Sequence, residues 1–560
     1  MDKKTLLALG LSFLVFLVWS VLFGPKPTDT PTNRQSVPKK EQSRQKDQSQ
    51  PVLEDSSMST GPVRDLMLET GRDTRDITVE TDLYMAIFSG SGPFIKSFKL
   101  KKYRSTLEKS APLKELIHVK NKNGGGFNLG FSGKNIPNIN WATYKVNRKE
   151  IAIRSGDQPK ELIYTRESPE GIEIQTRFLF YADRYKIDLS VIINNKSEYL
   201  IDDNLSLNLA HFPQEIKKSY GAFEGMALLL GNKLEEVKVK KLKDKLFSGQ
   251  ISWIAREEPY FMTAIIDEKG RKSTAKSTIL PNGNIKISYI TPPLNIRQHQ
   301  KTTENFTLYL GPRDLYILKA LNKKLEKAIN FGWFDIIAKP LLVTLRFFNK
   351  YLSNYGYSII LLTIIIKILF WPLTHKSYQS MKEMRKLQPM MAKIREKYKG
   401  NKQEMQKQLM GLYKTYKINP MGGCLPMIVQ IPVFFALFRV LPNSIELRHA
   451  PFVLWIKDLS APDRLGSFPL EDIPLLSYLS KIMAPPYGIP VLTLIMGASM
   501  FLQQKMTPTT GDPAQAKMMM LLPIVFTFLF INFPSGLVLY WLVNNVLSIA
   551  QQYRINKQVG

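Results

Sequence analysis

Residues 352–371 read LSNYGYSIILLTIIIKILFW. At about 1.5 Å per residue, a helix of this length crosses a roughly 30 Å hydrocarbon core. It carries one charge, Lys367. Four apolar runs follow, at about Gly422–Leu441, Gly488–Met506, Met518–Phe533 and Leu537–Tyr553, and another, Thr5–Phe23, opens the chain. The mean hydropathy of −0.14 hides these blocks, because a long polar region separates them. Across 560 residues, 77 Lys+Arg face 47 Asp+Glu, a net charge of +30. That balance suits an anionic partner: lipid headgroups, nucleic acid or acidic peptide. The single Cys424 excludes a disulfide-stapled scaffold and any multi-cysteine metal site.

Lys3 and Lys4 precede the first run and hold its start in the cytoplasm by the positive-inside bias. A cleaved signal peptide is the competing reading, and the bulky Val21-Leu22-Phe23 at the cleavage position weighs for an uncleaved anchor over 1–24. Residues 25–65, rich in Pro, Ser, Thr, Gln and Lys, carry too few large apolar residues to offset their ordering entropy and are expected to form a disordered linker. From Asp76 the period becomes two: Ile77, Val79, Leu83, Met85 and Ile87, then Ile172, Ile174, Phe178 and Phe180, then Ile187, Leu189, Val191 and Ile193. Such strands are buried on one face, and the Gly- and Asn-rich clusters at 123–126 and 281–284 supply turns. The region 66–330 is expected to form a large antiparallel β-sandwich.

Residues 331–351 mix aromatic and aliphatic residues with Asp335, Lys339, Arg346 and Lys350, the pattern of an amphipathic helix at a membrane interface. The remaining organisation is span 2 at 352–371, a basic helical hairpin at 372–418 and span 3 at 419–441. A loop at 442–486, span 4 at 487–506, a loop at 507–517, span 5 at 518–533, span 6 at 537–553 and a tail at 554–560 complete it. The loop 374–418 holds 12 Lys/Arg against 3 Asp/Glu and belongs in the cytoplasm, whereas 442–486 holds 4 against 5. Six crossings return the C-terminus to the cytoplasm. Within the hairpin, Met381, Met384, Leu387, Met391 and Ile394, and then Met405, Leu409, Leu412 and Tyr416, recur at helical steps. A methionine-rich face suits an adaptable surface that meets varied partners, and a solvated charged face is the plainer alternative.

No phosphate-cradling G-x-x-x-x-G-K-[ST], H-E-x-x-H zinc pair or G-x-S-x-G elbow is present, and no aspartate lies inside a span. Neither covalent chemistry nor a cofactor or metal is expected. The unusual residues are polar ones within the spans. Thr363 and Lys367, four apart, share a helix face, Gln430 lies between Pro426 and Pro432, and Gln503-Gln504 ends the fourth span. Tyr540, Trp541, Asn544, Asn545 and Ser548 mark the sixth. An intramembrane charge costs about 2.5–3.5 kcal/mol on insertion scales and normally faces a wet cavity or a partner. Lys367 lies four residues before Trp371, so snorkelling to the cytoplasmic surface is open as well. Interhelical hydrogen bonding is the plain alternative for Gln430, Asn544 and Asn545.

Trp371-Pro372-Leu373-Thr374, Met384-Arg385-Lys386-Leu387-Gln388-Pro389, Asn419-Pro420-Met421-Gly422-Gly423-Cys424-Leu425-Pro426, Gln430-Ile431-Pro432 and Phe533-Pro534-Ser535-Gly536-Leu537-Val538-Leu539-Tyr540-Trp541 resemble the YidC family of membrane protein insertases. The resemblance is nearly continuous over 333–553 and looser over the anchor and the large domain of Gram-negative members. It implies a polytopic α-helical membrane protein of six spans with a five-span insertase core and a periplasmic all-β supersandwich. It also implies a hydrophilic groove open to cytoplasm and lipid, formed around Lys367, Thr363, Gln430 and Trp541, and the polar Tyr540 and Gln504 of the neighbouring spans are expected to join them. Lys367 stands where the family usually has arginine, so the charge is kept and the bidentate fork is lost. Only Arg554 and Lys557 follow the last span, so the basic ribosome-binding tail of some members is not expected, and 464–486 looks like an insertion without an assigned role.

The implied partners are nascent membrane proteins, the Sec translocon, membrane lipids and, through the loop 374–418, the signal recognition particle, its receptor or the ribosome. Direct contact with nucleic acid is not expected. The implied location is the bacterial inner membrane. Two other classes remain to be weighed: a transporter, which needs a continuous pore, and a sugar enzyme on a mutarotase-like sandwich, which needs a His–carboxylate pair.

Overall fold

The structure is a computed structural model that describes residues 76–119, 126–131, 136, 144–211, 223–280, 284–416, 425–466, 483, 487–507 and 513–557. The expected anchor and linker at 1–65, much of the 464–486 insertion and the turn clusters at 123–125 and 281–283 lie outside these residues.

Strands form where the alternation places them. Lys186–Asn195 buries every second residue, and Ile187, Leu189, Val191 and Ile193 are all but inaccessible. Its neighbour Ile172–Phe180 pairs with it in antiparallel register, Leu189 opposite Phe178. One sheet runs Glu150–Ala152, Ile77–Glu80, Tyr84–Phe88, Ile95–Arg104, Gly126–Phe131, Leu205–His211, Ile285–Ile290 and Lys272–Ile279. The other runs Lys160–Glu167, Ile172–Phe180, Lys186–Asn195, Lys301–Pro312, Phe261–Asp267, Lys245–Glu257, Gly225–Leu230 and Lys233–Lys238.

The long strand Lys245–Glu257 belongs to both sheets. Residues up to Gln250 pair with Lys272–Ile279, and those from Trp253 pair with Phe261–Asp267. The change falls beside Gly249, whose φ of +145° disfavours a side chain. Ring contacts close the two layers face to face: Phe88 lies 5.0 Å from Phe178, and Tyr289 5.9 Å from Phe306. Burial of these faces drives the fold.

The C-terminal half is helical. Helix α1 (Leu315–Ala320) is capped by Asp314, whose carboxylate accepts from the Tyr316 and Ile317 amides. It is followed by α2 (Asp335–Leu352), α3 (Tyr355–Leu369), α4 (Trp371–Lys397), α5 (Lys402–Thr415), α6 (Leu425–Val440), α7 (Val491–Met506), α8 (Pro513–Phe530) and α9 (Ser535–Lys557). Helix α2 packs on α3 and α6, α3 on α9, α9 on α7, and α7 on α8. Gly497 permits the last contact, since a Cβ there would fall 2.1 Å from Thr527 Oγ1.

Among the described residues no single helix is long and apolar enough to cross a membrane, although α3 and α4 together, bent by 66°, pass that test. The helical surface is nonetheless more apolar than that of a water-soluble bundle. Ile368, Leu369, Leu494, Leu521, Phe528 and Val546 are exposed, while Ser358, Thr363, Thr493, Asn545, Ser548 and Gln551 are buried. An apolar exterior, with polar side chains kept among buried apolar ones such as Leu362 and Met496, is the arrangement lipid selects.

Helices α4 and α5 fold back on each other about Gly400-Asn401, and Asn401 caps α5 through the Glu404 amide. Their contact surface uses Met384, Leu387 and Met391 against Leu409, Leu412 and Tyr413. Of the methionines expected to face partners, Met384 and Met391 are therefore spent on the hairpin's own packing, Met381 packs against Ile555 of α9, and Met405 is half-buried. Met390 and Met410 are the exposed ones.

Candidate functional site

Helix α3 starts from a fixed point. The Asn354 carboxamide oxygen accepts from the Gly356 and Tyr357 amides, and its nitrogen donates to the Phe452 carbonyl at 3.1 Å. The Phe452 ring lies so close to Gly356 that a Cβ there would fall 1.9 Å from a ring carbon. From this anchor the helical rise brings Thr363 and Lys367 onto the face that meets α9.

Thr363, 1% exposed, donates its hydroxyl to the Ile359 carbonyl at 2.7 Å. Lys367 is 8% exposed and its ammonium donates to Ser548 Oγ at 2.6 Å. Ser548 in turn donates to the Asn544 carbonyl at 2.7 Å. The lysine thus lies against α9 and does not extend to the end of its helix. An ammonium carries three protons. Among the described residues Ser548 is the one hydrogen-bond acceptor, and no carboxylate forms an ion pair with Lys367.

Other polar residues of α9 bind its neighbours. Asn545 donates to Ser499 Oγ on α7 at 3.0 Å, and Gln552 to the Met506 carbonyl at 2.9 Å. Gln551, 1% exposed, donates to Thr374 Oγ1 at 3.0 Å, just past the bend between α3 and α4. Sequence reasoning had not singled out this pair.

The remaining expected groove residues separate into three settings. Gln430 on α6 reaches the Tyr540 hydroxyl on α9 at 3.4 Å. Trp541, one residue on and so about 100° around the helix, lies in an aromatic cluster. Its ring centroid is 4.9 Å from that of Phe434 and 5.3 Å from that of Phe530, and its buried indole Nε1 has no hydrogen-bond partner among the described residues. Gln504 sits half-buried in the last turn of α7, and its side chain bonds to none of the other five.

A second group missed in sequence is the pair Asp463-Arg464. Asp463 accepts from Trp455 Nε1 at 2.6 Å and from the Leu492 amide at 2.5 Å, at the N-terminus of α7. Arg464 donates to the Ile531 carbonyl at 2.8 Å, just past the C-terminus of α8. A negative charge at one helix start and a positive charge at the other helix end both oppose the helix dipoles.

The sandwich joins the helices through charged groups. Arg346 of α2 forms ion pairs with Asp314 at 3.0 Å and Glu446 at 2.7 Å, and its guanidinium lies 4.1 Å from the Tyr316 ring centroid. Arg448 donates to the Arg104 carbonyl at 2.6 Å. In the sandwich itself, His118 does contact Glu115 at 3.1 Å, but on an exposed strand end. A cavity of about 360 Å³ there is lined by other residues, among them Lys186, Asp188, Glu268 and Lys323, whose charges pair with one another. No group of three or more potential metal ligands occurs among the described residues.

A helical core with an apolar exterior, joined to a large β domain, defines a membrane-embedded protein. The chain belongs to the YidC family of membrane protein insertases. A family profile described as "YidC periplasmic domain" matches residues 76–344, and one described as "60Kd inner membrane protein" matches 347–560. The membrane protein insertase YidC of Pelobacter propionicus is 41% identical over 570 residues, and that of Geotalea uraniireducens 42% over 563, each covering 100% of both chains. A crystal structure of an active YidC insertase with its first transmembrane domain resolved aligns with 88% of this chain and 95% of that one, at 18% identity and a TM-score of 0.37. The family assignment rests on the full-length relatives.

Proposed function

We propose that this chain is a membrane protein insertase of the bacterial inner membrane. It lowers the barrier for hydrophilic segments of nascent membrane proteins by offering a cationic, hydrated groove partway across the bilayer. The observation that carries this reading is Lys367, buried between α3 and α9 with a serine hydroxyl as its one acceptor among the described residues. A buried ammonium without a carboxylate leaves two protons to be satisfied by water or by a passing carboxylate, and either serves a substrate's acidic tail.

The accompanying topology is six spans with both termini in the cytoplasm, the sandwich in the periplasm and the groove open to the cytoplasm and lipid. Thr363, Gln430 and Tyr540 line it, Trp541 borders it, and Gln504 lies at its cytoplasmic rim. The substrate's apolar segment leaves sideways along the apolar faces of α6 and α8, driven by its own partition into lipid. No nucleotide or covalent step is needed, and the membrane potential adds a pull on acidic tails. The hairpin α4–α5, inside a loop of net charge +9, receives the signal recognition particle, its receptor or the ribosome, and the protein acts alone or beside the Sec translocon.

Photocrosslinkers placed at Thr363, Gln430 and Trp541 test this reading against a stalled nascent chain. Adducts at all three sites are expected. Adducts confined to the lipid-exposed Ile368 would remove the groove from the account.

A further inference from the structure

The loop after α6 turns sharply at residues 451–456, where the Phe452 amide donates to the Ile456 carbonyl at 2.9 Å and the Ile456 amide to the Val453 carbonyl at 3.1 Å. Leu454, at its tip, has φ +56° and is 83% exposed. Glycine or asparagine fits that backbone conformation without strain, whereas leucine does not, and in water an exposed leucine brings no compensation.

We propose that this turn is an outer-leaflet anchor, with Leu454 inserted at the boundary between headgroups and acyl chains. Three observations favour lipid as the occupant. First, the turn is held at the level of the first turn of α3, because Phe452 is seated on Gly356, lies edge-on to Tyr357 at 5.3 Å and binds Asn354 through its carbonyl. Second, exposed aromatic residues mark the same level. Tyr357 begins α3 and Tyr351 ends α2, with Phe347 5.2 Å from Tyr351, and the exposed row continues along α2 through Val343 and Ile336. Aromatic rings gather at membrane–water interfaces in this way. Third, Lys457 is exposed three residues beyond the tip, placed for lipid phosphate while the tip itself is uncharged.

This inference rests on the reading of α3 as membrane-spanning, and its test separates the two. Nitroxide labels are placed singly at Leu454→Cys, at Ile365→Cys on the exposed side of α3 and at Leu246→Cys on the sandwich, in a Cys424→Ser chain reconstituted in vesicles of phosphatidylethanolamine and phosphatidylglycerol. Collision rates with oxygen and with a water-soluble nickel chelate report depth. Oxygen should dominate severalfold at 365 and 454, and nickel at 246. Nickel dominance at 454 with oxygen dominance at 365 overturns the anchor and leaves the span intact. Nickel dominance at 365 overturns the span and the anchor with it. A label at Val453 gives a second reading of the same turn should the 454 variant fold poorly.

Discussion

Lys367 on α3 and Ser548 on α9 are joined by a 2.6 Å hydrogen bond, although 181 positions separate them in the chain. The contact sets a full charge against a neutral hydroxyl inside a helical core. A stability-driven design would place a carboxylate or an apolar side chain there. The groove account gives the unneutralised charge a use, and it makes the sign of that charge the property to vary.

Lys367→Arg should retain insertion of single-span substrates with acidic tails within about twofold, because the charge is kept. Lys367→Glu should reduce it at least tenfold, the loss that ~1.4 kcal/mol of reversed electrostatics produces. Substrates with neutral tails should be affected less. Protease protection of the translocated tail in proteoliposomes measures all of these, and equal activity of the two variants would remove the electrostatic part of the mechanism.

The node at Arg346 makes a separate prediction. The Glu446 side chain is 8% exposed, and its pKa is raised by burial, with Arg346 pulling against that rise. Arg346→Ala should therefore cost about 2 kcal/mol and loosen the sandwich from the helices, because hydrogen bonds to charged groups are worth about 1.5–3 kcal/mol. Arg346→Met combined with Glu446→Gln should recover part of the loss, since the buried Glu446 is then no longer left charged and unpaired, while Asp314 keeps its hydrogen bonds from the Tyr316 and Ile317 amides. Thermal denaturation in detergent compares the variants, and a double variant weaker than Arg346→Ala would contradict this view of the node.

Glu257 supplies a pH signature in the sandwich. It is fully buried and pairs with Arg313 at 3.0 Å, yet burial pushes its pKa up to about 7 from 4.5, with Arg313 opposing. A raised carboxyl pKa gives stability that is complete below pH 4.5 and lost as pH climbs through 7. The strands around Glu257 should thus exchange amide hydrogens more readily at pH 8 than at pH 5, after correction for intrinsic rates. Glu257→Gln should flatten that dependence, even if the now unpaired Arg313 lowers stability at every pH. An unchanged slope in the variant would assign the pH response elsewhere.

How far the sequence carried the fold depended on whether one face or two was buried. Lys186–Asn195 alternates because its second face meets solvent, and its strand was legible. Phe261–Asp267 is buried at all seven positions, so it has no alternation to detect. At the site, the four-residue spacing of Thr363 and Lys367 gave their shared face. Their partner across the helix interface was not deducible, because the packing of α9 on α3 is a long-range choice among several polar positions. Asp463 was legible only as one charge in a loop, since the amide it caps lies 29 residues away. The methionines of the hairpin misled for a related reason: helical periodicity reveals an apolar face but does not reveal what covers it.

Water is expected to reach Lys367 from the cytoplasmic side. In a Cys424→Ser chain reconstituted with known orientation, Lys367→Cys should react with a membrane-impermeant thiol reagent added to the cytoplasmic face and stay inert to the same reagent added outside. The exposed Lys386→Cys serves as the positive control. A cysteine at 367 that stays unreactive from both faces while the control reacts would show a dry, sealed helix interface and contradict the account.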